Sequence, residues 1–516
     1  MNLTAALARF NPDPALVEWL SATLKQAQEN AAQAHRKTAE LKLAQLKIAA
    51  LTLELAHHRR IRFAHTSEAF SPEQRSLFEE TWNTDAAALK ACVERIAPEQ
   101  NPRRRAGRQP LPEHLPRIEH RHEPDACTCG QCGNDLVKIG EDVSEQLDVT
   151  PATFFVHRHI RPQYACRACE TISAAPIPAA VIDGSLAAPG LHAWVVTQKF
   201  LDHLPLYRIE QISARHGVPI ARSTLAEWVG RIGVALQPLA DRLGDLLRQR
   251  AVLHADETPV QQLAPGAGKT QRAYLWAYRS NDFDPAPPLL VFDYQTSRAG
   301  HHAQAFLRDW RGHLMVDDYA GYKALFRAGI VELACMAHAR RKFFDLHAAS
   351  HSPLAAEVLA RIAGLYAIER EGKEYDPESR LQLRQCAAQP QLDDLYAWLR
   401  QTRQTVAEGS GLARAIDYSL KRWPALIRYA ASGDLPIDNN PIENAIRPIA
   451  IGKKNWLFAG SERAGRRAAA IQSLLGTAKL NGLEPCAWLK DTLEKLPLWP
   501  NSRIDELLPL RGLLTP

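Results

Sequence analysis

This sequence predicts a multidomain α+β protein, and three observations carry that reading. The 516 residues exceed what one hydrophobic core organises, which suggests about three or four domains. Apolar residues make up 46% and charged residues 23%, a globular balance that excludes wholesale disorder and fibrous repeats. Hydrophobic periodicity changes along the chain, from helical to strand-like near the middle and back to helical.

The elements follow in order. Residues 14 to 58 read as one long helix, because neither Gly nor Pro interrupts between Ala15 and Pro72. Leu41, Ile48 and Leu55 recur every seven residues with Leu51 between them, and Leu43, Leu46 and Leu53 form a second stripe. The pattern fits a short coiled coil and equally an amphipathic helix packing inside the chain. The stretch PEQNPRRRAGRQPLPEHLPRIEHRHEP then carries six Pro together with Arg103, Arg104, Arg105 and Arg108. It reads as a solvated linker or as a basic arm for the minor groove of DNA.

Nine cysteines, four of them in Cys129-x-x-Cys132 and Cys166-x-x-Cys169, point to metal ligation in a reducing compartment rather than to disulfides. Two such knuckles supply the four thiolates of one tetrahedral structural Zn2+ site, with Cys127 as a possible competing thiol. SEQLDV and ATFFVHRHIRPQYA, between the pairs, read as strands of a hairpin. From Gly190 the period turns helical. A helix ending at Gly217, a turn through Pro219 and a second helix opening at Ser223 or Thr224, with Glu227 near the capping-box position, is helix-turn-helix grammar.

Between about 250 and 335 the period becomes that of strands, in AVLHADETP, RAYLWAYRS, PLLVFDYQ, HLMVDDYAGY and VELACMAH. Residues 340 to 435 are again helical. Two apolar runs end in acids, Asp256 and either Asp317 or Asp318, which places carboxylates at the carboxyl edge of a sheet. Asn440 is a candidate helix cap, Pro441 suits the first helical position, and Glu443 falls in the first turn, where the helix dipole favours its ionised form. Three carboxylates suit hard divalent cations and phosphoryl transfer. A Glu so placed also commonly pairs with an Arg four residues on, here Arg447.

Downstream, Arg447, Lys453, Lys454, Arg463, Arg466 and Arg467 surround Trp456 and Phe458, a candidate phosphate-binding surface. The net charge of +6 permits nucleic-acid binding without requiring it. Cys335 and His338, three apart just after a strand, invite a second metal reading, but two ligands alone are weak evidence and a buried thiol with a locally hydrogen-bonded imidazole is the favoured account. No stretch approaches the roughly 20 apolar residues of a membrane helix, and the start MNLTAALARF lacks a basic segment leading into an apolar one, so a cytoplasmic location is expected.

HADETPV, VDDYAGY, CMAHARRKFFD and DNNPIENAIRPIAIGKKNWLFAGSERAGRRAAAIQSLLGTAKLNG resemble the catalytic segments of bacterial DDE transposases of insertion sequence family sixty-six. GRQPLPEHLPR, the cysteine knuckles, DHLPLYR and ELLPLR extend the resemblance over nearly the whole chain. It implies a ribonuclease-H-like catalytic core with a helical insertion. Asp256, Asp317 and Glu443 match the three acids, and Cys335 and His338 match a supporting Cys-x-x-His element. The chain departs from the family pattern at Asp318, where Gly is usual, and at Met336, where Trp is usual.

The implied division is a helical leucine-rich region (1–97), a basic linker (98–125), a zinc-binding domain (126–185) and a helix-turn-helix-like domain (186–245). The first part of the core (246–340), the helical insertion (341–435), the catalytic helix with the rest of the core (436–490) and a carboxyl-terminal element (491–516) follow. The expected activity is Mg2+-dependent transposition, with two ions per site (Mn2+ also possible). The expected partners are double-stranded DNA at the element ends and target, further copies of this chain, and helper proteins of the same element, with no membrane. When bound to DNA the protein would sit at the nucleoid. The rivals are an inert or domesticated zinc-containing DNA-binding regulator and a nuclease that cuts without joining.

Overall fold

The computed structural model describes residues 14–63, 72–96, 111–123 other than 112 and 114, 134–150, 153–264 and 269–511. Arg103, Arg104, Arg105, Arg108, Cys127, Cys129 and Cys132 lie outside the described residues.

Helix α1 (Pro14–Phe63) packs along α2 (Pro72–Ile96). Of its two stripes, Leu43, Leu46 and Leu53 are half-buried, whereas Leu41, Ile48, Leu51 and Leu55 stay exposed. Strands β1 (Arg117–Arg121), β2 (Leu136–Thr150), β3 (Thr153–Cys166) and β4 (Ile172–Ala174) form a small sheet. The β2–β3 pair is the hairpin expected between the cysteine pairs. Strand β1 joins it parallel to β3, which aligns four imidazoles on one face. His120 Nε2 lies 2.8 Å from His157 Nδ1, and His122 Nε2 lies 3.0 Å from His159 Nδ1. The ladder is anchored on β2, with His157 Nε2 at 2.9 Å from Asp148 Oδ2 and His159 Nε2 at 3.2 Å from Gln146 Oε1.

Helices α3 (Pro189–Phe200), α4 (Leu206–Arg215) and α5 (Arg222–Leu247) follow, with Gly217 in the left-handed region at φ +75° making the turn. The expected caps Ser223 and Thr224 lie inside α5, whose N-cap is Ala221. The carboxylate of Glu210 accepts from the Arg222 amide at 3.0 Å, and so supplies from α4 a partner that the cap side chain does not.

The central sheet holds β5 (Val252–Leu263), β6 (Thr270–Ser280), β7 (Leu290–Gln295), β8 (His313–Val316) and β9 (Val331–Ala334) in the order β7-β6-β5-β8-β9. The pairs β5–β6 and β6–β7 are antiparallel, and β5–β8 and β8–β9 are parallel. The parallel connections run through α6 (His301–Leu307) and α7 (Lys323–Arg327). A helical insertion follows β9: α8 (Met336–Ser350), α9 (Pro353–Glu371), α10 (Pro377–Leu383), α11 (Gln389–Thr405), α12 (Gly411–Lys421) and α13 (Trp423–Leu426). The chain then returns through α14 (Asn440–Trp456), α15 (Glu462–Leu480) and α16 (Pro485–Lys495).

Strand β7 is an edge, and α15 covers it. Ser473 accepts from the Phe292 amide at 2.7 Å, and Thr477 accepts from the Leu290 amide at 3.1 Å, so backbone that would otherwise invite another strand is satisfied. Apolar side chains gather in three clusters: one joins the small sheet and α3–α5 to the central sheet, one fills the insertion, and one lies between β5–β7 and α14.

The expectation for Arg467 needs correcting. It is buried, pairs with the buried Asp85 of α2 at 3.0 Å, and shares that carboxylate with Ser461. A Cβ on Gly233 of α5 would meet the Arg467 side chain at 2.3 Å, so the close crossing of α5 and α15 requires glycine there. Arg467 therefore holds the amino-terminal helices to the core and is withdrawn from any DNA-facing surface.

Asp85→Ala would leave the Arg467 guanidinium buried without its partner. Chemical denaturation should show a loss of about 3–5 kcal/mol, against less than about 0.5 kcal/mol for Arg463→Ala on the exposed face of the same helix. Equal midpoints for the two variants would refute the docking role.

Burial first, then the neighbouring imidazoles, depress His159 from 6.5 to about 4, and the same causes lower His120. A depressed folded-state value means that the neutral ladder is favoured in the fold. Its contribution is whole above pH 6.5 and is lost as pH falls toward 4. Thermal midpoints measured across that window should fall more steeply for the wild-type chain than for His159→Asn, and parallel curves would count against the ladder.

Candidate active site

Asp256 lies in the middle of β5, not at its end as the sequence suggests. It sits just beyond the last residue at which β5 pairs with β8, His254 opposite Met315. Asp317 is the first residue after β8. Both acids thus occupy the carboxyl edge of the parallel pair, while β5 runs on alongside β6 alone. The adjacent acids are separated by their partners. Asp318 pairs with Lys323 at 3.1 Å and with Arg422 at 3.0 Å, and those cations also hold Glu332. Asp317 instead accepts from the Tyr319 amide at 2.8 Å and lies close enough to Asp256 to act on its charge.

Glu443 arrives on the first turn of α14. The cap is Asn439 rather than Asn440, and its side chain does not cap. It accepts from His254 Nδ1 at 3.0 Å and donates to the Ala255 carbonyl at 2.9 Å, while its amide donates to Cys335 Sγ at 3.2 Å. The helix start is served by Asp438, whose carboxylate accepts from the Asn440 amide at 3.0 Å and from Tyr366 at 2.7 Å. Burial holds His254 near 4, so it is neutral, and its bond to Asn439 places the proton on Nδ1.

The electrostatics follow from this packing. Burial, and then the charges of Glu257, Asp317 and Glu443, push Asp256 up to about 8. Glu257 is a further acid that the sequence reading left out. Its buried carboxylate accepts from Tyr322 at 2.8 Å and from Arg298 at 2.7 Å. Only its position next to Asp256 in HADET could have flagged it.

Cys335 is buried, and burial pushes its thiol up to about 12, which disfavours a ligating thiolate. His338 is not locally hydrogen-bonded as expected. Its Nδ1 faces Glu443 Oε1 at 3.6 Å, too long for a hydrogen bond. Glu443 faces the His338 ring and forms no ion pair with Arg447 among the described residues. Cys335, His338 and Glu443 bring their donor atoms within 4.8 Å of one another, and among the described residues no such group includes Asp256 or Asp317. The three acids are coupled through charge without being in mutual contact.

The basic segment divides. Arg447, Lys454 and Arg463 are exposed. Lys453 donates to the Pro259 carbonyl at 2.9 Å, and Arg466 pairs with Glu462 at 2.6 Å. Trp456 and Phe458 are half-buried. With Val260, Leu275 and Tyr294 they line an apolar cavity between α14, the sheet and α3. In the small sheet, Cys166 ends β3 and Cys169 follows in a tight turn closed by the Glu170 amide on the Cys166 carbonyl at 2.8 Å.

Comparisons identify the class. A model described as Transposase IS66 family matches residues 184–467, and the zinc-finger binding domain of transposase IS66 matches 126–170. The IS66 C-terminal element matches 473–510, and Transposase C of IS166 homeodomain matches 50–119. This chain belongs to the IS66 transposase family. It is 40% identical over 397 residues to the uncharacterised protein y4jD of Sinorhizobium fredii, covering 75% of this chain and 78% of that one. It is also 38% identical over 457 residues to y4qI of the same organism, covering 86% and 84%. The zinc-finger match supports Zn2+ as a bound metal. No described helix is long and apolar enough to cross a membrane.

Asn439→Ala would leave His254 Nδ1 and the Ala255 carbonyl without partners in the core. Urea unfolding should lose roughly 1–3 kcal/mol for each group so stranded. A loss below about 0.5 kcal/mol, that of an ordinary surface change, would show that Asn439 is not a clamp.

Proposed function

We propose that this transposase binds the terminal inverted repeats of a mobile element, cleaves DNA strands at its ends and joins the freed 3'-hydroxyls to target DNA. The observation that carries the reading is Asp256. It is partly buried at a sheet edge, raised to about 8 by burial and by three acids around it, among them Asp317 and Glu443, and no cation pairs with it among the described residues. The strand order β7-β6-β5-β8-β9, antiparallel from β7 to β5 and parallel from β5 to β9, supports the ribonuclease-H-like core that the resemblance implies.

The donor set fits hard cations, being carboxylate oxygens in a site whose negative charge is otherwise uncompensated. Asp256, Asp317 and Glu443 would hold two Mg2+ ions, with Mn2+ as a substitute. Such ions, when bound, stabilise the attacking and leaving oxygens of an in-line displacement. The chain's own residues do the rest. His254 and Asn439 hold β5 against the start of α14, His338 stands beside Glu443 at 3.6 Å, and Arg447, Lys454 and Arg463 offer charge to phosphates. Lys453 and Arg466 are secondary in that role, since both already have partners.

Cys129, Cys132, Cys166 and Cys169 would share one structural zinc, and that domain together with α4–α5 would read the element ends. Bringing two ends together calls for at least two copies of the chain on DNA, and helper proteins of the same element would take part.

In an assay joining a labelled element end to target DNA with Mg2+, Asp256→Asn, Asp317→Asn and Glu443→Gln should each lose activity on the order of 10³-fold. Asp318→Asn should stay within about threefold, because that acid serves Lys323 and Arg422. Full joining by Glu443→Gln would remove Glu443 from the chemistry. Binding without cleavage by the wild-type chain would favour the inert regulator, and cutting without joining would favour the nuclease.

A further inference from the structure

Several arginines of the insertion are consumed by its fold. Arg361 pairs with Glu357 and Asp394, Arg384 with Glu369, Arg403 with Asp417, and Arg422 with Asp318 and Glu332. Four others differ. Arg340 and Arg341 of α8, Arg370 of α9 and Arg447 of α14 are exposed and form no ion pair among the described residues. All four line one open cavity of about 640 Å³ whose wall includes Glu443. Two carboxylates, Asp345 and Glu443, face four guanidiniums there. Phe344, 49% exposed, lies on the same wall with the Arg340 guanidinium 5.7 Å from its ring centre.

Four exposed guanidiniums against two carboxylates make the hollow a basic surface suited to an anion with several charges. Arginine offers planar donors that match phosphate oxygens, and an exposed ring among such cations is the pattern of a surface on which an unpaired base stacks. The basic segment 453–467 offers less, since Arg467 is buried, Arg466 and Lys453 have partners, and Trp456 and Phe458 face an apolar cavity.

We propose that the cavity between α8, α9 and α14 is a DNA-strand site, in which Arg340, Arg341, Arg370 and Arg447 hold the phosphates of an unpaired strand passing Glu443 and Phe344 stacks on one of its bases. The inference rests on the DNA-processing reading above and adds to it a role for the insertion: this module holds the strand that has left the duplex at the reaction centre, while the zinc and helix-turn-helix regions hold the duplex.

The test uses the full-length chain carrying Asp256→Asn, without added magnesium, and three fluorescein-labelled probes: oligo(dT), a blunt duplex of mixed sequence, and that duplex with an unpaired dT overhang. Adding Arg340→Gln with Arg370→Gln should reduce the salt slope for oligo(dT) and the overhang by about 0.7 per lost contact, while changing blunt-duplex affinity less than about twofold. Phe344→Ala should weaken the overhang probe on the order of tenfold. Arg400→Gln, an exposed arginine outside the cavity, should change none of the three. Thermal melts confirm that each variant is folded. Unchanged slopes in the double variant, or equal weakening of all three probes, would overturn the strand site and leave the DNA-processing reading standing. Failure of the parent to bind any probe would defeat both.

Discussion

The arrangement depends on one buried amide. Asn439 joins three segments that are remote in sequence: through its side chain the backbone and His254 of β5, and through its own amide the thiol of Cys335 at the start of α8. Asp256 follows His254 by two residues and Glu443 follows Asn439 by four, so the clamp sets the spacing between the two acids. It works because it is wholly enclosed: every polar group it meets would otherwise be stranded in the core, where an unmade hydrogen bond costs more than a made one contributes. The insertion can therefore occupy about a hundred residues between β9 and α14 without loosening the site. It is tied at both ends, by the Met336 amide on the Ile437 carbonyl at 3.1 Å and by Arg422 on Glu332 and Asp318.

Charge is distributed by the same logic on both sides of the site. Acids that belong to the fold have cations of their own: Asp318 and Glu332 share Lys323 and Arg422, and Glu257 holds Arg298 and Tyr322. Asp256 and Asp317 have no ion pair among the described residues, and the cost appears as the displacement of Asp256 toward neutrality. Among the guanidiniums, Arg361, Arg384, Arg403 and Arg422 are engaged by carboxylates, whereas Arg340, Arg341, Arg370 and Arg447 are left facing one hollow.

Much of this could be read in the sequence because local chemistry wrote it there. Strand periodicity located all five strands of the central sheet, the separation of the cysteine pairs implied the β2–β3 hairpin, and the resemblance singled out Asp256, Asp317 and Glu443. Long-range pairing was beyond local reading. Whether Asp317 or Asp318 faces Asp256 turns on Arg422, about a hundred residues away, and the burial of Arg467 turns on Asp85, which nothing nearby announces. Asn440 looked like the cap because it precedes Pro441, but Asn439 closes the helix while its side chain is drawn into the core. Trp456 and Phe458 are surrounded by cations in sequence, and only the fold shows that they also line an apolar cavity with Val260, Leu275 and Tyr294.

Helix α15 shows how the regions are mechanically joined. One side seals the β7 edge through Ser473 and Thr477, and near its start Arg467 reaches across Gly233 of α5 to Asp85 of α2. A displacement of α2 that broke the Asp85 pair would uncover a buried guanidinium's charge at the crossing of α5 and α15, so α2, α5 and the catalytic sheet resist moving separately. The Transposase C homeodomain match, residues 50–119, includes all of α2, while Asp256 and Asp317 belong to the sheet whose β7 edge α15 covers. Strain applied to α2 would therefore pass through one ion pair and one helix to β7, the strand beside β6. The fold offers this as a short, rigid connection between the amino-terminal helices and the edge of the central sheet.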